Sequence, residues 1–323
     1  MIEIAVLGTG KIIPEAIDAM QTSKKFNVNL IWARPHSREK AEKLAGKFGV
    51  KKISTDLDEI AADEKIQFVY VGLINSVHYE YAKKFLLAGK NVILEKPFTT
   101  NFSEAEELAK IATEKKLYLF EAITNLHMPN FYAIRDALKK IGEIKLVTAN
   151  YSQRSSRYDD YKNQKVHPAF DPKLYGGALR DINVYNLNLI AALFGEPSEI
   201  NYKPNRGRNG VDTSGVVTLD YKNFSAVAIG TKDSDSPGYF CVQGDEGYVR
   251  VNGATNVLNE IEIFIRGEEK KIFNLNKFEN RMVHEFEEFG EIFSSGDYKK
   301  VEDGLKNSLT VTKIIDECSK QIK

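Results

Sequence analysis

Ile2-Glu3-Ile4-Ala5-Val6-Leu7-Gly8-Thr9-Gly10-Lys11-Ile12-Ile13-Pro14 opens the chain, and this stretch decides the fold. Ile2 to Leu7 is apolar at every position but Glu3, the pattern of a strand covered on both faces. Gly8-Thr9-Gly10 follows at once as a tight turn. A helix then runs through Glu15, Ala16, Ile17, Ala19 and Met20, with Pro14 tolerated in its first turn. Strand, glycine turn and helix N-terminus together make most of a dinucleotide fingerprint, in which free helix amides face a pyrophosphate. Gly8, Thr9, Gly10, Lys11 and Ile12 are therefore candidate cofactor contacts. The third small residue of the fingerprint is absent, because Ile13 stands in its place. Close helix–strand packing must be solved differently here. The competing reading is an ordinary βα turn.

Val28 to Ala33 reads as the next strand. Sites that prefer NAD carry an acid roughly 20 residues past the glycines, which accepts from the ribose 2′-hydroxyl. No Asp or Glu occurs between Asp18 and Glu39; instead Arg34, Ser37 and Arg38 offer two guanidiniums and a hydroxyl. Guanidinium is the planar donor suited to a phosphate monoester, so the pattern favours NADP over NAD. A solvated surface loop is the bland alternative.

Strand and helix go on alternating. Ser37 to Lys47 and Asp56 to Ala61 read as helices, Phe68 to Val71 as a buried strand, and Thr100 to Lys115 as a helix capped by Ser103. Leu117 to Glu121 completes the set. Between them, Val92-Ile93-Leu94-Glu95-Lys96-Pro97 is a buried strand that ends in two charges, at the edge where open α/β sheets bind ligands. Alternation sends Glu95 and Lys96 to opposite sides. This grammar predicts an α/β fold with a doubly wound parallel sheet over residues 1–122. From 123 to 323 it changes to an α+β domain with one large, open-faced, mostly antiparallel sheet: strands at 143–153, 198–204, 213–221, 224–231, 238–243, 247–251 and 260–273. Two closing helices carry Phe286, Phe289, Ile292 and Phe293, then Leu305, Leu309, Val311, Ile314 and Ile315. A broad sheet with helices on one face needs cover on the other, which predicts a homo-oligomer, a dimer through that face.

Composition narrows the class. Lys plus Arg balances Asp plus Glu at 45 each, which favours neither nucleic acid nor a membrane surface. No apolar run reaches spanning length, and Met1-Ile2-Glu3-Ile4 lacks the basic and apolar regions of a secretory signal. Cys241 and Cys318 are two distant lone cysteines, which fits a reducing compartment; a cytoplasmic protein is expected. His36, His78, His127, His167 and His284 show no metal-ligand spacing, so no metal site is predicted. No G-x-S-x-G supports a serine hydrolase.

The helix from Leu179 carries Asp181, Tyr185 and Asn188, spaced to share one face beside the apolar set Ile182, Leu189 and Leu193. Opposite Lys96 this face would surround one small volume with a carboxylate, a phenol and an ammonium. An ammonium near a phenol favours its ionised form, bringing it toward proton-transfer range.

The chain resembles the glucose–fructose oxidoreductase/inositol dehydrogenase/rhizopine-catabolism (Gfo/Idh/MocA) oxidoreductases over essentially its whole length. The carriers are Gly8-Thr9-Gly10, Asn75-Ser76-Val77-His78, Ala88-Gly89-Lys90-Asn91-Val92, Glu95-Lys96-Pro97, and Gly176-Gly177-Ala178-Leu179 before Asp181. It looks most like the dimeric dihydrodiol dehydrogenase and glucose–fructose oxidoreductase branch, where a tyrosine stands at the place of Tyr185. The resemblance implies a Rossmann domain, an open-faced sheet domain, and hydride transfer between NAD(P) and a carbohydrate, polyol or related hydroxy or carbonyl compound. It implies that Lys96 contacts nicotinamide ribose and substrate oxygen, that Tyr185 is the acid/base, and that Asp181 binds substrate hydroxyls or tunes the lysine. Leu73, Asn75, His78 and Glu95 would line the cofactor cleft. Departures from the family pattern are Ile13, Leu73-Ile74, Thr124, Arg180 and Asn183. Two other classes compete: a catalytically silent NADP-binding sensor or regulator, and a redox-neutral NAD-dependent glycosidase or lyase on the same fold. Arg34 and Arg38, suited to exchangeable NADP, count against the second.

Overall fold

Residues 1–322 are described by a computed structural model. The first part alternates β1 (Ile2–Leu7), α1 (Ile12–Ser23), β2 (Phe26–Trp32), α2 (Arg38–Phe48), β3 (Lys52–Ser54), α3 (Leu57–Ala62), β4 (Phe68–Val71), α4 (His78–Leu87), β5 (Asn91–Glu95), α5 (Phe102–Lys115) and β6 (Leu119–Ala122). Its sheet has the order β3-β2-β1-β4-β5-β6, with every neighbouring pair parallel. β4 is buried at all its positions, as a strand with helices on both faces must be. α5 is capped by Asn101 rather than Ser103. The Asn101 side chain accepts from the Glu104 amide at 3.0 Å, while Ser103 donates to Asn101.

The second part contains α6 (Pro129–Ala137), β7 (Ile144–Ser152), α7 (Tyr158–Lys162), α8 (Val184–Phe194), β8 (Glu199–Arg206), β9 (Asp212–Asp220), β10 (Ser225–Thr231), β11 (Tyr239–Gly244), β12 (Gly247–Asn252), β13 (Glu260–Ile265) and β14 (Lys271–Phe273). The chain closes with α9 (Met282–Ser295) and α10 (Tyr298–Ser319). The second sheet runs β14-β13-β12-β11-β7-β10-β9-β8. Its neighbours are antiparallel except β7 and β10, which pair in parallel. The expected strand at 260–273 is two strands, with Gly267 in the turn between them at positive φ. Alternate residues (Val147, Ala149, Ala226, Ala228, Phe240, Val242, Val249, Val251) are fully buried in one core with α6 and α8. On the opposite face Thr148, Val216, Val227, Ile229, Cys241, Tyr248 and Phe264 are only half-buried. That face also holds a cleft of about 390 Å³ lined by Cys241, Tyr248, Arg250, Phe264 and Arg266 among others.

The chain divides into two compact units: Met1–Ala122 with Phe278–Leu309, and Ile123–Lys277 with the residues from Thr310 onward. The break at 122 matches the change in sequence grammar. Phe278–Leu309, however, belongs with the first unit and not with the second, where the simple division at 122 leaves it. The reason is aromatic packing. Phe286 meets Phe26 at 5.8 Å, Phe289 stacks on Phe120 at 4.4 Å, and Phe293 meets Phe68 edge-on at 5.1 Å. A helix with phenylalanines at this spacing is an apolar stripe that fits the parallel sheet.

Ile13 is fully buried, and the space it needs comes from across the turn. A Cβ built on Gly72 would lie 2.6 Å from Ile13 Cδ1 and 2.9 Å from the Tyr70 ring. Gly72 thus does what the missing third glycine does elsewhere: it lets helix and strand approach. Gly72→Ala should lower stability by about 1–3 kcal/mol through overpacking, and Ile13→Val, which removes Cδ1, should recover part of that loss in the double variant. Thermal unfolding of the four proteins measures it; strict additivity would contradict the pairing.

Candidate functional site

In the first unit, the residues singled out by sequence lie at the carboxyl ends of the parallel strands. Gly8 has φ of 122°, and a Cβ there would meet the Gly72 carbonyl oxygen at 2.6 Å, so only glycine fits the turn after β1. Thr9 is half-buried, and Gly10 and Lys11 are exposed at the start of α1. Beyond β2, Arg34 is exposed and Ser37 half-buried, while Arg38 Nε contacts Glu42 Oε1 at 3.1 Å on the surface. Leu73 and Asn75 are half-buried beyond β4.

β5 ends on the expected split of charges. Glu95 is buried and accepts from the Tyr70 hydroxyl at 2.6 Å, whereas Lys96 is half-buried. The Lys96–Pro97 peptide is cis. Burial raises the Glu95 carboxyl, against the pull of the Tyr70 hydrogen bond and the charges of Lys96 and Arg281. Glu285 is fully buried, and neither of its oxygens has a hydrogen-bond partner among the described residues. Burial, with the Glu95 charge adding to it, holds that group well above the usual carboxylate range.

His78 is fully buried, with Nδ1 2.9 Å from the Pro97 carbonyl and Nε2 3.2 Å from the Leu73 carbonyl. Two acceptors would suit a doubly protonated ring, but burial outweighs them and lowers its pKa. Both nitrogens face backbone carbonyls, and a neutral ring donates through only one of them. The side chain offers a cofactor nothing directly and instead ties the loop after β4 to the loop after β5. Glu95 is likewise turned inward to Tyr70. Both are corrected from cleft-lining residues to supports.

In the second unit, Asp181 sits in a π-helical turn, Leu179–Asn183, that leads into α8. Such turns widen a helix locally and recur at functional sites. Asp181 Oδ2 lies 2.6 Å from Lys232 Nζ; the lysine side chain is 2% exposed and the aspartate 38%. The N-terminus of this helix is capped by buried Asp212, whose Oδ2 accepts from the Leu179 amide at 2.6 Å and from the Tyr202 hydroxyl at 2.8 Å. Tyr185 is buried, its ring 5.9 Å from that of Tyr151. Asn125 Nδ2 donates to the Tyr185 carbonyl at 3.0 Å and to the Thr255 carbonyl at 3.1 Å. Asn183 Nδ2 donates to the Ala228 carbonyl at 3.1 Å, and Asn186 Nδ2 to the Ile229 carbonyl at 2.8 Å. These amides fix the helix on β10. The Asn183 departure is therefore explained by anchoring. Asn188, expected on the polar face, is fully buried and donates back to the Val184 carbonyl at 2.9 Å. Arg180 is buried too, stacked 5.5 Å from the Tyr175 ring centroid.

Residues 2–123 match the family described as "Oxidoreductase family, NAD-binding Rossmann fold", and residues 133–253 match the GFO/IDH/MocA C-terminal domain. A scyllo-inositol 2-dehydrogenase (NADP(+)) of Bacillus subtilis (strain 168) is 32% identical over 322 residues, covering 100% of this chain and 97% of that protein. The chain belongs to the Gfo/Idh/MocA oxidoreductases. A trans-1,2-dihydrobenzene-1,2-diol dehydrogenase of Xenopus tropicalis is 28% identical over 271 residues, 82% of this chain and 79% of that one. The fold is shared with levoglucosan dehydrogenase in complex with NADH and levoglucosan: TM-score 0.85, 18% identity, 100% of this chain and 98% of that chain.

Sequence reasoning missed Lys232, Asp212 and Asn125. Lys232 follows β10 with no pattern to distinguish it from a surface lysine. The one available signal was Asp181 itself, since a carboxylate inside an apolar helix requires a cation.

Glu121, at the end of β6, is buried, and its carboxyl is pushed up to about 7 from 4.5 by that burial; hydrogen bonds from Ser308 and the Phe98 amide oppose the shift. Between those two values the folded protein holds a proton that the unfolded chain releases. Stability from this group is thus lost as pH rises through that window. Glu121→Gln should match wild type in unfolding free energy near about pH 5 and exceed it near about pH 8 by a few kcal/mol at most. Parallel pH profiles of the two proteins would contradict the assignment.

Proposed function

We propose that this oxidoreductase is an NADP-dependent dehydrogenase or reductase acting on a sugar, polyol or related small hydroxy or carbonyl compound. The observation that carries the reading is the partly exposed Lys96 at the ligand-binding edge of the parallel sheet, in a family whose Bacillus relative is named for scyllo-inositol and NADP(+). The dihydrodiol and levoglucosan enzymes, also named for hydroxylated compounds, support the substrate class.

The cofactor fits what the first unit offers. Gly8 leaves no room for a side chain at the turn, and the amides opening α1 are placed for a pyrophosphate. Thr9, Gly10, Lys11, Ile12, Leu73 and Asn75 complete that edge. The end of β2 presents Arg34, Ser37 and Arg38 and no carboxylate before Glu39, which suits a 2′-phosphate. When bound, the nicotinamide supplies or accepts the hydride. Lys96 donates a hydrogen bond to the reacting oxygen and stabilises negative charge there. The Tyr185 hydroxyl moves the proton to or from that oxygen, and Asp181 accepts from a neighbouring substrate hydroxyl. We assign the protein to the cytoplasm, whose reducing conditions suit the free thiols of Cys241 and Cys318, and to a homodimer formed through the half-buried outer face of the second sheet. No helix among the described residues is long and apolar enough to cross a membrane.

Tyr185→Phe and Lys96→Ala should each lower kcat by roughly 10² to 10⁴ while binding NADP(H) within a few-fold of wild type. Near-normal turnover in either variant would remove the mechanism. Arg34→Ala should weaken NADP by about tenfold or more and leave NAD unchanged, read by calorimetry. Val227→Arg, on the outer sheet face, should shift sedimentation from dimer to monomer.

A further inference from the structure

Lys232 is 1% exposed and carries an ammonium. A buried cation must be paired and hydrogen-bonded or it costs several kcal/mol. Its Nζ has three mapped contacts: Asp181 Oδ2 at 2.6 Å, the Ala169 carbonyl at 2.7 Å, and the face of the Phe170 ring at 4.5 Å to the centroid. Its backbone is fixed as well, the amide donating to the Thr213 carbonyl at 2.8 Å and the carbonyl accepting from Ser155 at 2.8 Å. Ala169 and Phe170 belong to the polar segment between β7 and the π-helical turn. Phe170 stacks on Tyr161 at 4.9 Å, and Arg208 donates to the Tyr161 carbonyl at 2.8 Å. One ammonium therefore joins the helix that carries Asp181 to the segment that covers it.

The pair is lopsided. Lys232 is sealed, while 38% of the Asp181 side-chain surface stays open. A carboxylate kept only to neutralise a buried lysine would be sealed with it. A charge-assisted contact to one oxygen limits how that carboxylate can turn, so its open side is presented over a narrowed range of orientations. We infer that Lys232 is a positioning residue for substrate recognition, holding Asp181 so that its open side accepts hydrogen bonds from hydroxyls of a polyhydroxy substrate. This rests on the functional reading above, and it goes further by making hydroxyl discrimination a property of the Lys232–Asp181 pair.

The test compares scyllo-inositol with a mono-deoxy analogue, NADP+ being saturating, in wild type, Lys232→Gln and Lys232→Met. Gln can still donate to the Ala169 carbonyl, so it reports loss of charge alone; Met removes both contacts and is the second variant should either misfold. KM for scyllo-inositol should rise roughly 10- to 100-fold with kcat changed far less, and the preference for inositol over its deoxy analogue should collapse toward unity. Tm and NADP+ affinity serve as controls that a general folding defect would move. An active wild type with unchanged KM and unchanged hydroxyl preference in both variants would overturn this inference alone. A wild type inert on inositols and on a panel of aldoses and polyols would overturn the functional reading, and this inference with it.

Discussion

The end of β5 imposes the constraint on which the first unit depends. Two opposite charges, Glu95 and Lys96, follow a strand whose Val92, Ile93 and Leu94 are fully buried, and a strand can only send successive residues to opposite sides. Glu95 goes inward, where a bare carboxylate is too costly to leave unsupported. Tyr70 from the neighbouring β4 donates to it, and the charges of Arg281 and Lys96 help offset the burial. α9 adds Glu285, a second carboxyl that burial and the Glu95 charge together hold well above the usual carboxylate range. The chain segment that brings Arg281 and Glu285 is the same one that covers the sheet with Phe286, Phe289 and Phe293. Burial of Glu95 and return of the C-terminal segment are thus one structural event. The consequence for function is that Lys96 is set at the sheet edge by a backbone whose alternate position is firmly held.

The second unit solves a matching problem in another way. There the buried charge is a cation, Lys232, and the group left partly open is the carboxylate, Asp181. Its helix begins on the Asp212 carboxylate, passes through a π turn, and is pinned to β10 by the amides of Asn183 and Asn186. Asn125 holds the carbonyl of Tyr185. Polar groups buried this deeply cost stability if any partner is lost, which makes the placement of Asp181 and Tyr185 strongly determined.

Much of this was legible in the sequence. The strand, glycine turn and helix at residues 2 to 23, and the switch of grammar past Ala122, rest on local periodicity that tertiary contacts do not override. Glu95 and Lys96 separate as alternation requires. What could not be read depends on contacts between distant residues. Gly72 compensates for Ile13 across a parallel strand pair. Phe286 and its neighbours form a plain amphipathic stripe, and nothing local says which sheet it covers. His78 opens α4 and is fully buried, and a sequence cannot tell a ring that faces a cofactor from one set between the Leu73 and Pro97 carbonyls. The i, i+4, i+7 reading of Asp181, Tyr185 and Asn188 assumed an uninterrupted α-helix; the π turn breaks that assumption, and Asn188 bonds back to its own helix.

The central claim is that hydride passes directly between a carbon-bound hydroxyl position of a polyhydroxy substrate and the nicotinamide. Its most direct measurement is isotopic: turnover of scyllo-inositol deuterated at carbon with NADP+, followed by NMR of the recovered cofactor. Deuterium at the nicotinamide C4 of NADPH, in step with ketone formation, is the predicted result. Product formed with the cofactor unlabelled and unreduced would contradict the account and point to redox-neutral chemistry on the same fold.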